Sequence, residues 1–211
     1  MSGSSPRRNA NPPPAGPEYA HWMAERYAAG ETPWDTGVPS TELIRTVADG
    51  EFPGKTVLEV GCGTGTNAVE LARRGYRVTA VDLVELAIRK ARDRAEAAGV
   101  TVDFRAGDAT RMELGGPYDC LFDSGVYHGI RTRDLAGFLG ALRRASHPGT
   151  RWLTLAGNPR EGNDIGPPTV QEEEFRRELD PVFKILRVRE YRLDLGPGFR
   201  PLFWSILTEK R

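Results

Sequence analysis

The sequence predicts an α/β fold: a doubly wound, mostly parallel sheet of seven strands with a C-terminal antiparallel hairpin. Three observations carry this prediction. Strand-like and helix-like segments alternate five times between residues 56 and 156, which is typical of a parallel sheet with helices on both faces. The first strand runs directly into a glycine-rich turn and a helix. The chain closes with two strand-like segments separated by Gly196-Pro197-Gly198, which predicts an antiparallel pair.

The first unit, Lys55 to Gly75, is the one around which the others are arranged. Its strand, Thr56 to Val60, is a β-branched and aliphatic run. The following helix ends at Gly75, because glycine readily adopts the left-handed conformation at a helix C-terminus. Between them lie Gly61, Gly63 and Gly65. A strand, a glycine loop and a helix in this order let the backbone approach a ligand and point helix N–H groups at it.

The later elements are assigned from the same periodicities. Helical spacing of apolar residues predicts helices from Val84 to Gly99 and from Leu135 to Ala145, and a charged helix from Gln171 to Leu179. Pro148-Gly149 is expected to turn the chain into a strand, and residues 158–170 are expected to form a loop. The remaining predicted strands are Arg77 to Val81, Val100 to Arg105, Tyr118 to Phe122, Arg151 to Ala156, Phe183 to Leu193 and Phe199 to Thr208.

The N-terminal part of the chain divides at residue 17. Residues 1–17 are rich in serine, proline and glycine, so they have little to bury and are expected to be disordered. Residues 18–211 are expected to form one domain, which is long enough for a full core. Its first segment, residues 18–48, contains a short helix from Glu18 to Ala29 and a second helix that Ser40 or Thr41 can cap.

Composition argues against several classes of function. The chain has 29 basic and 29 acidic residues, so no excess charge favours nucleic acid or an anionic membrane. No apolar run reaches the ~18 residues needed to cross a bilayer, and the N-terminus lacks the apolar core of a signal peptide. Only two cysteines occur, Cys62 and Cys120, which fits a reducing compartment. We expect a cytoplasmic monomer or homodimer that binds no metal.

Acidic residues stand at the ends of three predicted strands. Asp82 ends the second strand, where a carboxylate can accept both ribose hydroxyls of a bound nucleoside. Glu59 lies in LEVGCGTG, Asp82 in VTAVDL and Asp108 in RAGDATRMEL. These three stretches resemble the motifs of class I S-adenosylmethionine-dependent methyltransferases. The resemblance covers Trp34 to the C-terminus and implies a Rossmann-like sheet. It implies S-adenosylmethionine as cofactor, held by Glu59, Gly61, Cys62, Gly63, Gly65, Thr66, Asp82, Leu83, Asp108, Ala109 and Asp123.

By this resemblance Asp108 accepts a hydrogen bond from the adenine amino group, with the Ala109 N–H nearby; alternatively, Asp108 only forms a turn. The stretch PWDTGVPSTELI resembles the N-terminal segment of the thiopurine and tellurite methyltransferase-like branch. That resemblance implies a lid over the methionine end of the cofactor. Trp34 and Gly37 would then border the cofactor, and the acceptor pocket would be walled by Tyr19, Trp22 and Tyr27. The alternative is that these aromatic residues simply cover the sheet.

In this family the residues after the fourth strand face the reaction. Here they include Asp123, Tyr127, His128 and Arg131, which are candidates for catalysis or for binding the acceptor. His128 is the natural general base because its ordinary pKa is near ~6.5; the alternative is a histidine hydrogen-bonded to the backbone. Asp123 is expected to contact the methionine amine of the cofactor or to orient the loop. The signature Asn/Asp-Pro-Pro-Tyr is missing here, which argues against amide-type amines of nucleic acids or proteins.

The resulting prediction is an enzyme that methylates an O, S or N nucleophile of a small molecule. Two alternatives remain open on the sequence. An NAD(P)-dependent oxidoreductase shares a glycine loop, but Thr66 occupies the third-glycine position, and Glu59 and the terminal hairpin also argue against it. A non-catalytic S-adenosylmethionine-binding partner protein would keep the same cofactor motifs.

Overall fold

A computed structural model of the chain describes residues 18–161, 168–196 and 199–211. The predicted disordered tail, residues 1–17, lies outside them. At the centre is one sheet of seven strands in the order β3-β2-β1-β4-β5-β7-β6. The first five strands pair in parallel, and β7 is antiparallel to both of its neighbours, β5 and β6. The strands are β1 (Thr56–Val60), β2 (Arg77–Asp82), β3 (Asp103–Ala106), β4 (Tyr118–Ser124), β5 (Ser146–Gly157), β6 (Phe183–Arg192) and β7 (Leu202–Lys210).

Helices cover both faces of the sheet, and each face has its own apolar core. On one face, Phe138 of α5 packs on Trp152 of β5, and Phe175 of α6 packs on Trp204 of β7. On the other face, Leu43 and Leu71 belong to a second core. The helices are α1 (Glu18–Ala29), α2 (Thr41–Ala48), α3 (Thr66–Arg73), α4 (Glu85–Ala97), α5 (Tyr127–Arg144) and α6 (Glu172–Leu179), and a short 3-10 turn spans Pro159–Glu161.

Local chemistry explains why these elements begin where they do. Ser40 caps α2, since its Oγ accepts a hydrogen bond from the Leu43 N–H at 3.3 Å. Gly65 precedes α3 with a φ of 79°, a left-handed conformation. A Cβ atom at this position would lie 2.8 Å from the Ala91 Cβ atom. Glycine at 65 therefore lets α3 and α4 approach closely beside the loop that joins β1 to α3.

The predicted fold class is confirmed, but several boundaries are wrong. The helix predicted from Leu135 begins at Tyr127, with one non-helical residue, Asp134 (φ −154°, ψ 62°). It begins early because Tyr127 is fully buried and the Asp123 carboxylate accepts its N–H. Pro148-Gly149 lies inside β5 rather than in a turn before it. Strands β3 and β7 each begin three residues later than predicted. Within the described ranges, no helix combines the length and apolarity needed to cross a bilayer.

Candidate cofactor and acceptor site

The site lies at the carboxyl edge of the sheet, between β1 and β4. These strands are neighbours, yet α3, which follows β1, and α5, which follows β4, pack on opposite faces. Neighbouring strands whose following helices lie on opposite faces leave a crevice between them at the carboxyl edge. Ligands of open α/β sheets bind in this crevice. Val60 pairs with Val81 on one side and with Asp123 on the other. The predicted motifs of the first, second and fourth strands are therefore brought together at one edge.

The glycine loop is tied to the end of β2 by its backbone. The N–H groups of Gly61 and Cys62 both donate to the Val81 carbonyl, at 2.7 and 3.0 Å. The Gly63 N–H donates to Oδ2 of Asp82 at 2.8 Å. Gly61 has a φ of 70°, and a Cβ atom there would overlap the side chain of Val126. The loop thus presents a bare backbone surface next to the Asp82 carboxylate.

Asp82 has the geometry of a ribose acceptor. Its Oδ1 accepts from the Val84 N–H at 2.9 Å, so each carboxylate oxygen holds one backbone donor and keeps a further lone pair. Burial raises the pKa of Asp82, and hydrogen bonds from the backbone N–H groups of Val84, Gly63 and Leu83 oppose that rise. These donors fix the carboxylate at the start of α4, immediately before Leu83. The arrangement fits two hydroxyl groups approaching from the open side of the edge.

Glu59 is the residue that indicates whether a cofactor with a positively charged group fits this site. Its side chain is 1% exposed, and its Oε2 atom has no hydrogen-bond partner among the described residues. Burial raises the pKa of Glu59 to about 8, and the carboxylates of Asp82 and Asp123 add to the rise. A buried carboxylate oxygen without a donor is costly unless a ligand supplies one. The ammonium group of S-adenosylmethionine is such a donor, so the residues present fit this cofactor.

Asp108 lies at the end of the neighbouring strand, since Asp82 pairs with Ala106 of β3. Its Oδ1 accepts from the N–H and the hydroxyl of Thr110, at 2.9 and 2.8 Å, and Oδ2 lies 3.6 Å from Arg111. This is the turn-forming geometry that the sequence left as an alternative. A contact between Asp108 and adenine stays a prediction.

Asp123 orients the loop after β4, which is one of the roles that the sequence predicts for it. It is buried; Oδ1 accepts from the N–H groups of Val126 and Tyr127, and Oδ2 accepts from the Trp152 indole at 3.0 Å. Burial raises the pKa of Asp123 to about 6. Because both oxygens are engaged by the protein, the geometry favours the loop-orienting role over direct contact with the cofactor.

The structure places His128 in the backbone hydrogen bond that the sequence left as the alternative to a general base. The side chain is 4% exposed, and its Nδ1 accepts a hydrogen bond from the Gly157 N–H at 2.8 Å. A backbone N–H can only donate, so the neutral ring must carry its proton on Nε2. Burial lowers the pKa of His128 to about 4. The neutral histidine therefore has no free lone pair with which to take a proton from an acceptor.

Tyr127 and Arg131, which were predicted to lie in the acceptor pocket, are both bonded to α6. The Tyr127 hydroxyl donates to Glu178 of α6, and the ring is fully buried against Trp152. Arg131 forms ion pairs with Glu178 and with Glu174, the latter at 2.9 Å. This cluster, Tyr127–Arg131–Glu174–Glu178, joins α5 to α6. Of its members, Tyr127 belongs to the core on one face of the sheet, and the Glu174 side chain is 35% exposed.

Residues 18–37 lie along the carboxyl edge and are called the lid here, because the sequence predicts that role for them. At one end of the lid the Arg133 guanidinium, on α5, lies 3.4 Å from the centre of the Tyr19 ring. At the other end Tyr27 packs against Val84 and Ala87. A Cβ atom at Gly63 would lie 3.1 Å from the Tyr27 hydroxyl. The lid therefore reaches from the start of α5 to the glycine loop.

Within the lid, the predicted residues divide between two places. Trp34 donates from Nε1 to the Tyr27 hydroxyl at 3.3 Å, which brings both residues to the glycine loop. Tyr27 thus lies on the cofactor side and not on the predicted acceptor side. Tyr19 and Trp22 stack on each other near α5, with ring centres 5.8 Å apart.

Gly37 is the lid residue placed elsewhere than predicted. It lines a surface groove between α3 and α4, next to the Arg94 side chain. Sequence reasoning also missed a cluster beside this groove, formed by Asp35, Thr64 and Arg94. Asp35 stands in the quoted lid motif and Thr64 in the glycine loop, so their proximity could have been suspected. Arg94 is one of many arginines on α4, and nothing in the sequence distinguishes it.

Comparison with known proteins points to the same chemistry. Residues 57–149 match a family described as a methyltransferase domain. A 2-heptyl-1-hydroxyquinolin-4(1H)-one methyltransferase from Mycobacteroides abscessus is 29% identical over 84% of this chain and 80% of its own length. A probable thiol methyltransferase 2 from Arabidopsis thaliana is 25% identical over 81% of this chain and 77% of its own.

A solved structure, from work on the conversion of a disulfide bond into a thioacetal group during echinomycin biosynthesis, has the same fold. It superposes with a TM-score of 0.79 at 26% identity and covers 90% of this chain and 91% of that one. The strand order, the glycine loop, the Oε2 atom of Glu59 that has no partner among the described residues, and the two backbone-bonded oxygens of Asp82 agree with these similarities. Residues 57–149 are therefore identified as a methyltransferase domain, and the similarities together support a class I S-adenosylmethionine-dependent methyltransferase.

Proposed function

We propose that this methyltransferase acts on a small, partly apolar molecule and that the attacked atom is an oxygen or sulfur that ionises without help from the protein. One observation supports this proposal: each of the side chains predicted to be catalytic is already engaged in a hydrogen bond within the protein. His128 accepts a backbone N–H on Nδ1, Tyr127 donates to Glu178, and both oxygens of Asp123 hold donors. An acceptor that arrives as an anion needs no general base.

The lid supports a small acceptor. Tyr19 and Trp22 present half-buried aromatic surface near α5, and α1 covers the edge from the glycine loop to Arg133. A closed, partly aromatic site suits a compact organic molecule. The named activities of the two relatives, on a hydroxyquinolinone and on a thiol, are of this kind. The balanced net charge gives no electrostatic reason to expect nucleic acid.

Methyl transfer is an in-line displacement, for which the bound cofactor supplies a methyl group on a positively charged sulfur. The chain's own residues bind, orient and exclude water. Asp82 would hold the ribose hydroxyls, and Glu59 would accept from the ammonium group. The lid would exclude water and hold the acceptor in near-attack geometry, which is worth ~7–11 kcal/mol in well-oriented reactions. In this scheme positioning supplies most of the rate enhancement.

The proposal is tested by a transfer screen with a labelled methyl group. The acceptors are aromatic thiols, N-hydroxyquinolones, phenols and primary amines, each assayed between pH 6 and 9. We expect transfer to thiols or acidic hydroxyls, with a rate that rises through the pKa of each acceptor. Turnover of amines alone, or a rate inflection that stays at one pH for all acceptors, would contradict the proposal because it would require a base on the protein.

The nicotinamide-dependent alternative is not favoured, because the matched family and both relatives are methyltransferases. The non-catalytic alternative predicts binding of S-adenosylmethionine without transfer to any acceptor in the screen. A cytoplasmic location is part of the proposal and is supported by two buried free cysteines. Size-exclusion chromatography would distinguish a monomer from a homodimer, the two states that the sequence leaves open.

A further inference from the structure

We propose that Arg94 and Thr64 are positioning residues which, through Asp35, hold the lid closed on the glycine loop. Arg94 lies on α4 and lines the groove between α3 and α4. It contacts neither Glu59 nor Asp82, and its described hydrogen bonds go to Thr64 alone. Its effect on the cofactor would therefore be exerted through the lid and not by contact.

The three side chains form one continuous chain of hydrogen bonds. Arg94 donates from Nε to the Thr64 carbonyl at 2.8 Å and from Nη2 to the Thr64 hydroxyl oxygen at 3.0 Å. The Thr64 hydroxyl donates to the Asp35 carboxylate, with distances of 2.9 and 2.8 Å to its two oxygens. Thr64 belongs to the glycine loop and Asp35 to the lid. The chain thus joins α4, the loop and the lid.

The direction of these bonds explains why Arg94 is needed. A hydroxyl group has one proton and two lone pairs. Arg94 can only donate, so it occupies a lone pair of Thr64 and leaves the proton to point at Asp35. Both contacts of the hydroxyl then involve a charged group, and such hydrogen bonds are stronger than neutral ones. Without Arg94 the hydroxyl can rotate, and the bond to Asp35 loses its fixed direction.

Trp34, the neighbour of Asp35 in the chain, connects this set of hydrogen bonds to the glycine loop, where the cofactor is expected to bind. Trp34 donates to the Tyr27 hydroxyl, which lies against Gly63. Thr64 follows Gly63 in the chain, so the lid is fastened to two consecutive residues of the glycine loop. Trp34 is itself 40% exposed and has little burial to hold it. The hydrogen bond from Thr64 to Asp35 is therefore the polar contact that fixes this part of the lid.

The experiment uses the full chain with four substitutions. Thr64→Val removes the hydroxyl at nearly constant shape, Thr64→Ser retains it, and Arg94→Met removes the guanidinium. Arg89→Met is the matched control, because Arg89 is an exposed arginine on the same helix and has no ion pair in the described part of the chain. The readouts are the Kd of S-adenosylmethionine by calorimetry, hydrogen exchange of residues 18–37 in the unloaded protein, and the melting temperature.

We expect Thr64→Val and Arg94→Met each to raise the Kd about tenfold, as the loss of one charge-assisted hydrogen bond implies. Exchange of residues 18–37 should accelerate while exchange in α4 stays unchanged. Thr64→Ser should restore both readouts, and Arg89→Met should alter neither. Adding Asp35→Ala to Thr64→Val should change the Kd no further, since both remove the same contact.

Two outcomes overturn the proposal. One is a Thr64→Val protein with the native Kd and native exchange over residues 18–37. The other is faster exchange throughout α3 and α4 with a lower melting temperature, which would make Arg94 and Thr64 ordinary stabilising residues. None of these readouts needs an acceptor, so the result is independent of whether the acceptor is an oxygen or a sulfur nucleophile.

Discussion

Glu59 is a buried carboxyl group whose ionisation should be coupled to cofactor binding. Its pKa in the free protein is raised to about 8, mainly by burial. The cofactor's ammonium group favours the ionised form. Binding below pH 8 should therefore release a proton, and the affinity for S-adenosylmethionine should rise with pH from 6 to 8 and then level off. Calorimetry in two buffers of different ionisation enthalpy should give close to one proton released at pH 7.

The control for this prediction is Glu59→Gln, which keeps the shape and removes the titration. Its affinity should be lower, and any pH dependence that remains would belong to another group. The free protein offers a second check. A folded-state pKa above the ordinary value means that the stability contributed by Glu59 is complete below pH 4.5 and is lost as the pH rises through 8. The melting temperature of the glutamine variant should fall less over that range.

His128 should prove to be a residue that supports β5. In His128→Asn the amide oxygen can accept from the Gly157 N–H in place of Nδ1, whereas in His128→Phe that donor is left unpaired. We expect the phenylalanine variant to lose ~1–3 kcal/mol of unfolding free energy relative to the asparagine variant. The pH dependence of the rate should be the same for both variants and the native enzyme. An inflection present only with histidine would restore the general-base role.

At the residue scale, the sequence could show which side chains meet but not which of their atoms are engaged. Asp82, Glu59 and Asp123 stand at strand ends, and parallel topology alone brings such ends together. That Nδ1 of His128 faces Gly157 depends on the pairing between β4 and β5 and on the early start of α5. Both features depend on tertiary contacts. Only the three-dimensional structure could therefore distinguish the residues that face the cofactor from those that support the fold.

At the scale of elements, the cluster Tyr127–Arg131–Glu174–Glu178 should act as a joint between α5 and α6. Tyr127→Phe removes one hydrogen bond to Glu178, which Arg131 still pairs. We expect a loss of ~1 kcal/mol in unfolding free energy with an unchanged KM for the acceptor. Trp22→Ala, on the lid, is the contrasting variant: it should raise that KM and leave stability nearly unchanged. If Tyr127→Phe instead raised the KM selectively, Tyr127 would belong to the acceptor pocket.

The boundaries that the sequence missed share a physical cause. The first turn of α5 contains Gly129 and reads as a loop, and Asp134 interrupts the helical geometry before the apolar stripe begins. What holds this turn in place is the Asp123 carboxylate and the contact with α6, both distant from any local signal. Propensity and periodicity do not register such contacts. By contrast, α1 and β1 were predicted with their observed boundaries. In both, the local sequence pattern begins and ends at the same residues as the element itself.

At the scale of the whole molecule, the alternation of strands and helices was sufficient to predict the sheet. The insertion of β7 between β5 and β6 was not specified by the sequence, because a terminal hairpin can add to an edge in either order. This placement explains why the last strand is among the most buried. Residues such as Phe203, Ile206 and Leu207 contribute to the cores on both faces. The C-terminus is thus part of the scaffold that supports the site.

The lid gives the sharpest prediction for the molecule as a whole. Among the residues described from 18 onward, neither of the two main cores contains a residue before Leu43, and the Ser40 cap of α2 would survive removal of residues 1–37. Deletion would uncover the small apolar cluster around Val84 and Ala87. The surface formerly buried with Tyr27 is worth roughly 1.5–3 kcal/mol. A truncated chain that begins at Val38 should therefore fold with a lower melting temperature and native-like circular dichroism.

The same truncated chain should bind S-adenosylmethionine at least ~10-fold more weakly, because the contacts at Gly63 and Thr64 are gone. It should transfer no methyl group, since water would enter the open edge. A chain that lacks only residues 1–17 is the control and should match the full-length enzyme in melting temperature and turnover. Full turnover by the chain beginning at Val38 would show that residues 18–37 only cover the sheet, and Tyr19, Trp22 and Trp34 would then have no part in catalysis.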